Sequence, residues 1–190
     1  EGYMSIRTFQ VVARRKKRDL SPFQGFHHNL KDFTLKDDGV VSIDGFLKNV
    51  NVLPYWLDFK TKEVIFAQIK DVNQLSHAPF ISDAIYESAE RIFLVPFALF
   101  ISLASRIESL KTDIVLAAFT PRSGSTLMCK IISRSESVFV MAEPICLNLI
   151  ERHYSLSSSF GEDLYKSLIL FFSDLAYKQG KKTLYIKPFI

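Results

Sequence analysis

Apolar and polar positions change texture along the chain. Between Val40 and Ala67 they come as short clusters rich in β-formers: Val40 to Ile43, Trp56 to Phe59 and Val64 to Ala67. The last two flank Lys60-Thr61-Lys62, so this region predicts a hairpin. From Pro79 onward helical and strand-like runs alternate. Pro79 to Ala89 predicts a helix, Ile92 to Val95 a strand, and Phe97 to about Ile107 a helix with Pro96 near its start, where proline is tolerated. Ile114 to Phe119 is continuously apolar, as a buried parallel strand is. A helix follows from near Ser125 to about Ser133, with Leu127, Met128, Ile131 and Ile132 on its inward face. Ser137 to Ala142 predicts another strand, Ile145 to about Tyr154 a helix, and residues 155–159 a loop. The last helix has capping-box spacing at Ser159 and Glu162, the apolar series Leu164, Leu168, Phe171, Phe172 and Leu175, and Lys178 with Gly180 to close it. Thr183 to Lys187 is then a strand. Residues 1–35 are polar with scattered aromatics and predict a loosely ordered arm.

One junction in this series carries chemistry. Thr120-Pro121-Arg122-Ser123-Gly124-Ser125-Thr126 lies between an expected strand and an expected helix. Gly124 lets the backbone turn tightly and come close to a ligand. Beside it, the hydroxyls and the free N–H groups of the new helix point toward one concavity, which suits an anion. A triphosphate-binding loop of the Walker type sets Lys directly after its last glycine. Here Ser125 has that place, and the cation is Arg122, two residues before Gly124.

The run PRSGST resembles the 5′-phosphosulfate loop of the sulfotransferases, closest to the Arg-containing variants in carbohydrate and tyrosylprotein sulfotransferases. A second element is similar to those families: the strand from Ser137 ends at Glu143-Pro144, with Glu143 21 residues after Arg122. In those enzymes an acidic residue at the end of the next strand serves as the base. The resemblance covers about Ile114 to Pro188. It implies an α/β fold of the P-loop type, three-layered around a parallel sheet, within a domain at 79–190. A small β-hairpin region at 36–78 and the polar, basic arm precede it. The donor it implies is 3′-phosphoadenosine 5′-phosphosulfate, held by Pro121, Arg122, Ser123, Gly124, Ser125 and Thr126, with Arg122 and Glu143 catalytic, an acceptor bearing a hydroxyl, and no metal. Nothing before Ile190 matches the R-x-P-like context that holds the 3′-phosphate in those enzymes. The expectation is therefore a catalytic domain incomplete at its C-terminal end. Other readings stand beside this one. Arg122 also suits an ordinary surface turn, and Glu143 also suits the positive end of the helix after Pro144. At the level of the chain, the alternatives are a non-catalytic or truncated nucleotide-binding remnant and an atypical P-loop NTPase or kinase.

Composition narrows the setting. The chain has 190 residues, 48% of them hydrophobic, enough for one substantial core or for one domain plus an extension. A formal charge of +4 is compatible with an anionic ligand and gives no reason to expect nucleic acid. Cys129 and Cys146 sit in no metal-ligand or disulfide pattern, and Cys129 reads as a small core residue. With no Asn-x-Ser/Thr acceptor, this leans toward a reducing compartment such as the cytoplasm, with the Golgi as the alternative. Ile92 to Ser105 is uncharged over 14 residues, short of the ~20 a spanning helix usually needs, so it reads as a short strand and a helix rather than a membrane span, with a signal anchor as the alternative. The run Arg14-Arg15-Lys16-Lys17-Arg18 suits a solvated arm, a localisation signal, a phosphate-binding arm or a membrane-surface patch.

Overall fold

The computed structural model of the chain describes residues 5–15, 30–107, 110–120, 123–154 and 158–188. Five strands form an antiparallel sheet: β1 (Ser5–Arg14), β2 (Phe33–Ser42), β3 (Val52–Asp58), β4 (Glu63–Ile69) and β5 (Ala89–Pro96), in the order β2-β1-β5-β4-β3. Three more form a parallel sheet: β6 (Asp113–Leu116), β7 (Val138–Ala142) and β8 (Thr183–Lys187), in the order β6-β8-β7. The helices are α1 (Ile43–Lys48), α2 (Ile81–Ser88), α3 (Phe97–Ala104), α4 (Ser125–Ile132), α5 (Ile145–His153) and α6 (Ser159–Lys178). The protein is thus mixed α/β, with one parallel and one antiparallel sheet.

The antiparallel sheet is larger than the expected hairpin. Around Lys60-Thr61-Lys62 the β3–β4 pair forms as anticipated, with Asp58 opposite Glu63. The expected arm at 1–35 instead contributes β1, which pairs with both β2 and β5. Its polar residues Arg7 and Gln10 face solvent while Ile6 and Thr8 are buried, so the strand hid behind its own exposed positions. The strand expected at Ile92 to Val95 joins this sheet too, between β1 and β4, rather than opening a parallel series. That explains the apolar run at Ile92 to Ser105: Ile92 to Val95, Phe97, Phe100, Leu103 and Ala104 are all core residues. Among the described residues no helix is long and apolar enough to cross a membrane.

One continuous core joins the two sheets. Phe66 on β4 packs edge-on against Phe46 of α1 at 4.9 Å, Phe100 of α3 at 5.8 Å and Phe171 of α6 at 5.4 Å between ring centres. Leu164, Leu168, Phe171, Phe172 and Leu175 of α6 are buried in this core, as their helical spacing predicts. The N-cap of α6 is Ser158, one residue before the expected position, and its side chain accepts from the Gly161 N–H at 3.1 Å. Gly180, with φ 74°, follows the helix in the left-handed conformation expected of a closing glycine.

The parallel sheet divides its side chains between two environments by strict alternation. Phe139, Met141, Leu184 and Ile186 face the main core. Val140, Ala142 and Tyr185 face the other way and form a small cluster with Cys129 of α4. The edge beyond β7 is met by a 3-10 segment, Val72–His77, in which Ser76 Oγ accepts the Val140 N–H at 2.9 Å. At the other edge β6 leaves Val115 and Leu116 exposed, so the expectation of a buried strand at Ile114 to Phe119 is corrected to a short edge strand ending at Leu116.

Helix α4 is also turned relative to expectation. Leu127, Met128 and Ile131 are 63%, 45% and 57% exposed, while Cys129 and Ser133 are buried. Ile132 alone of the expected inward set packs on the sheet. Apolar residues run almost all round this helix, so two helical phases fit the sequence. The small thiol of Cys129 lets the observed face lie close against Val140 and Tyr185.

Arg14 and Arg15 sit at the ordered end of β1 rather than on a loose arm, Arg14 half-buried and Arg15 exposed. The Arg14 guanidinium donates to the carbonyl of Tyr86 at 2.6 Å and to that of Ala89, satisfying carbonyls at the end of α2, where a cation is favoured. Arg15 lies 3.9 Å from the Asp32 carboxylate. Lys16, Lys17 and Arg18 fall outside the described residues.

Candidate functional site at the carboxyl edge of the parallel sheet

Because β6, β7 and β8 run parallel, their carboxyl ends share one edge, the place where open α/β sheets bind ligands. From the end of β6 the chain stays bonded to β8 for one more residue, Ala117 N–H to Ile186 C=O at 2.9 Å, then turns toward α4. Ser123 donates its N–H to the Thr120 carbonyl at 3.3 Å, and Gly124 takes φ 82° as the N-cap of α4. At that φ any other residue would be strained, while an added Cβ would meet nothing within 4 Å. The space in front of Gly124 is open. Among the described residues no side chain caps the first turn of α4, which leaves its leading N–H groups without a side-chain acceptor, with Ser125 and Thr126 half-buried beside them. Pro121 and Arg122 lie outside the described residues.

Glu143 stands at the end of β7. It has φ 58°, left-handed for a residue with a side chain, and it precedes Pro144, which further narrows its backbone choices. Such a conformation costs on the order of 1–3 kcal/mol and persists only where the surroundings hold it. Here they do. The Glu143 N–H donates to the Lys187 carbonyl at 2.7 Å, and the Ser82 hydroxyl donates to the Glu143 carbonyl at 3.3 Å.

The Glu143 carboxylate accepts a charge-assisted hydrogen bond from the ammonium of Lys187 at the end of β8. Lys187 is 7% exposed, a level at which an unpaired lysine is rarely found. In the sequence, Lys187 is marked only as the last residue of a strand. Its burial follows from alternation: Lys187 sits opposite Ala142 and on the same face as Tyr185, toward α4. It also follows from the strand order, since β8 lies between β6 and β7 and so its end comes between the α4 loop and Glu143. The two expected site strands are therefore not neighbours, and a lysine stands in the gap.

Cys129, one turn into α4, lies within the fields of both charges. Burial pushes its thiol up, Lys187 opposes that and Glu143 adds to it, so the thiol stays protonated at neutral pH. This agrees with a packing residue rather than a nucleophile. Among the described residues no group of three His, Cys, Asp or Glu side chains could hold a metal ion.

The edge thus presents backbone N–H donors from a helix start, two hydroxyls, a buried ammonium and a carboxylate. Together these can hold an anionic group, stabilise negative charge that develops on it, and accept a proton. No protein-family model, no curated protein and no solved structure matches the chain.

Proposed function

We propose that the chain is a sulfotransferase, moving a sulfuryl group from 3′-phosphoadenosine 5′-phosphosulfate to an acceptor hydroxyl. The observation that carries this reading is the pairing of Glu143 with Lys187 at the edge where Gly124 opens α4. A carboxylate held next to a cation and an uncapped helix start suits transfer of an anionic group to oxygen. Support for a P-loop kind of architecture comes from the parallel strands, with α4 on one face and the main core, including α5 and α6, on the other.

In this reading the phosphosulfate lies against Ser123 to Thr126, and Arg122 supplies it with a cation. The acceptor oxygen forms a bond to sulfur as the bond from sulfur to the 5′-phosphate oxygen breaks. The hydroxyl proton passes to Glu143. The charge growing on the departing phosphate is met by the N–H groups of α4, Arg122 and Lys187, which is able to leave Glu143 as that carboxylate becomes neutral. Preorganised donors of this sort are worth about 3–4 kcal/mol each where measured in oxyanion holes.

The test is calorimetric binding of 3′-phosphoadenosine 5′-phosphate and of ATP with magnesium, together with transfer of sulfate to a panel of hydroxyl acceptors. Preference for the 3′-phosphorylated nucleotide with transfer supports the proposal, and Glu143→Gln should then lower turnover by about a hundredfold with donor affinity near normal. Binding without transfer by the unaltered protein makes it a nucleotide-binding remnant. Preference for magnesium-ATP makes it an atypical NTPase or kinase.

A further inference from the structure

We infer that Ser82 is a positioning residue for Glu143, so that the antiparallel half of the protein aims the carboxylate of the site. The catalytic consequence rests on the sulfotransferase reading above; the structural content does not.

Ser82 lies on α2, a helix inserted between two strands of the antiparallel sheet. Its hydroxyl donates to the Glu143 carbonyl at 3.3 Å and accepts the Ile145 N–H at 3.1 Å. One oxygen therefore spans the peptide units on both sides of Pro144. Proline has no N–H, so Ile145 carries the first donor after Glu143, and it is also the first residue of α5. The N-cap of α5 is Pro144, which has no side-chain acceptor to offer. Ser82 supplies that acceptor from another element, and in doing so fixes the left-handed turn at Glu143.

The same segment grips the parallel sheet elsewhere. Ser76 Oγ holds the Val140 N–H at 2.9 Å, and His77 Nδ1 lies 3.2 Å from Ser133 Oγ at the end of α4. Val72 to Ser88 thus works as a strap along β7, and its last tie is the one at Glu143. Lys187 orients the carboxylate from within the sheet; Ser82 orients the backbone that carries it. Losing the strap tie frees a strained residue to relax toward extended backbone, which swings the carboxylate away. Misplacements of about 1 Å at a reacting group cost on the order of a hundredfold in rate.

The experiment uses the full chain as Ser82→Ala and Ser82→Thr, with two readouts. In amide hydrogen exchange, Ile145 and Glu143 should lose about tenfold of their protection in Ser82→Ala, while core amides such as Leu168 do not change, and Ser82→Thr should restore it. In kinetics, Ser82→Ala should lower kcat about tenfold with KM for 3′-phosphoadenosine 5′-phosphosulfate within about twofold, and Ser82→Thr should recover most of kcat. Unchanged exchange at Ile145 overturns the inference, and so does a Ser82→Ala enzyme with unaltered kcat. If the unaltered protein transfers no sulfuryl group, the functional reading falls, and amide exchange alone decides whether Ser82 is the clamp.

Discussion

The Glu143–Lys187 pair makes a quantitative prediction that needs no substrate. Their side chains are 16% and 9% exposed, so neither charge can return fully to water if its partner is removed. At an effective dielectric of about 20, two unit charges some 4 Å apart attract by about 4 kcal/mol, a gross attraction that the desolvation of both groups offsets. Removing one member of such a pair typically costs about 3–5 kcal/mol, because the other is left buried without compensation. The two halves should not be equal. Glu143→Gln strands the ammonium, the more enclosed group, and should cost about 3–4 kcal/mol; Lys187→Met strands a carboxylate nearer to water and should cost about 2–3 kcal/mol. The double variant has no charge to strand. It should lose clearly less than the sum, leaving a coupling of about 2 kcal/mol or more. Urea denaturation of the four proteins measures this, provided the slope with denaturant is common to all. Additivity within about 0.5 kcal/mol would refute the pairing, and with it the account of why Lys187 is buried.

The other predictions test separate parts of the structure. Arg122→Ala should cut sulfuryl transfer by about a hundredfold or more with an unchanged thermal midpoint, and ordinary turnover in that variant removes Arg122 from the mechanism. Ile131→Ala, on the exposed face of α4, should change stability by no more than about 0.5 kcal/mol, whereas Leu168→Ala in the core should cost about 2–5 kcal/mol; a large loss for Ile131 would mean that α4 is turned the other way. The Cys146 thiol is pushed from 9.0 up to about 12 by complete burial. The unfolded chain therefore gives up that proton first, and stability should fall as pH rises from 9 toward 12, by up to about 1.4 kcal/mol per unit from this group. Cys146→Ala should make the alkaline decline of the denaturation midpoint shallower, and an identical slope would show that the thiol titrates normally.

How far the fold could be read from sequence depended on where each pattern found its partner. Helix α6, the β3–β4 hairpin and β8 were legible because their signals are local: an unbroken helical stripe, two apolar runs about a short turn, and a β-rich run after a closing glycine. Strand β1 was not. Its apolar positions alternate with Arg7 and Gln10, and its central partner, β5, lies some eighty residues away in the chain. For α4 the sequence held two helical phases, and only packing against Val140 and Tyr185 chose between them. At the site, Gly124 and the start of α4 stand where a strand-turn-helix reading puts them, and Glu143 ends its strand as expected. Lys187 was missed because nothing near it in sequence signals burial. A lysine at the end of an apolar strand ordinarily reaches water.

What buries Lys187 is the strand order, and the strand order depends on the rest of the molecule. Phe139, Met141, Leu184 and Ile186 pack into a core that is mostly built by the antiparallel sheet and its helices. Among the described residues the opposite face has only four buried apolar residues, Cys129, Val140, Ala142 and Tyr185, too few to hold three strands in register alone. The carboxyl edge of β7 and β8 is thus set in place by residues that include some more than a hundred positions earlier in the chain. Loosening the antiparallel half should therefore loosen the Glu143–Lys187 pair along with it. The site and the N-terminal half therefore form one physical unit, and a substitution such as Phe66→Ala, whose cost of about 3–5 kcal/mol falls on the antiparallel core, should be felt at Glu143 as well.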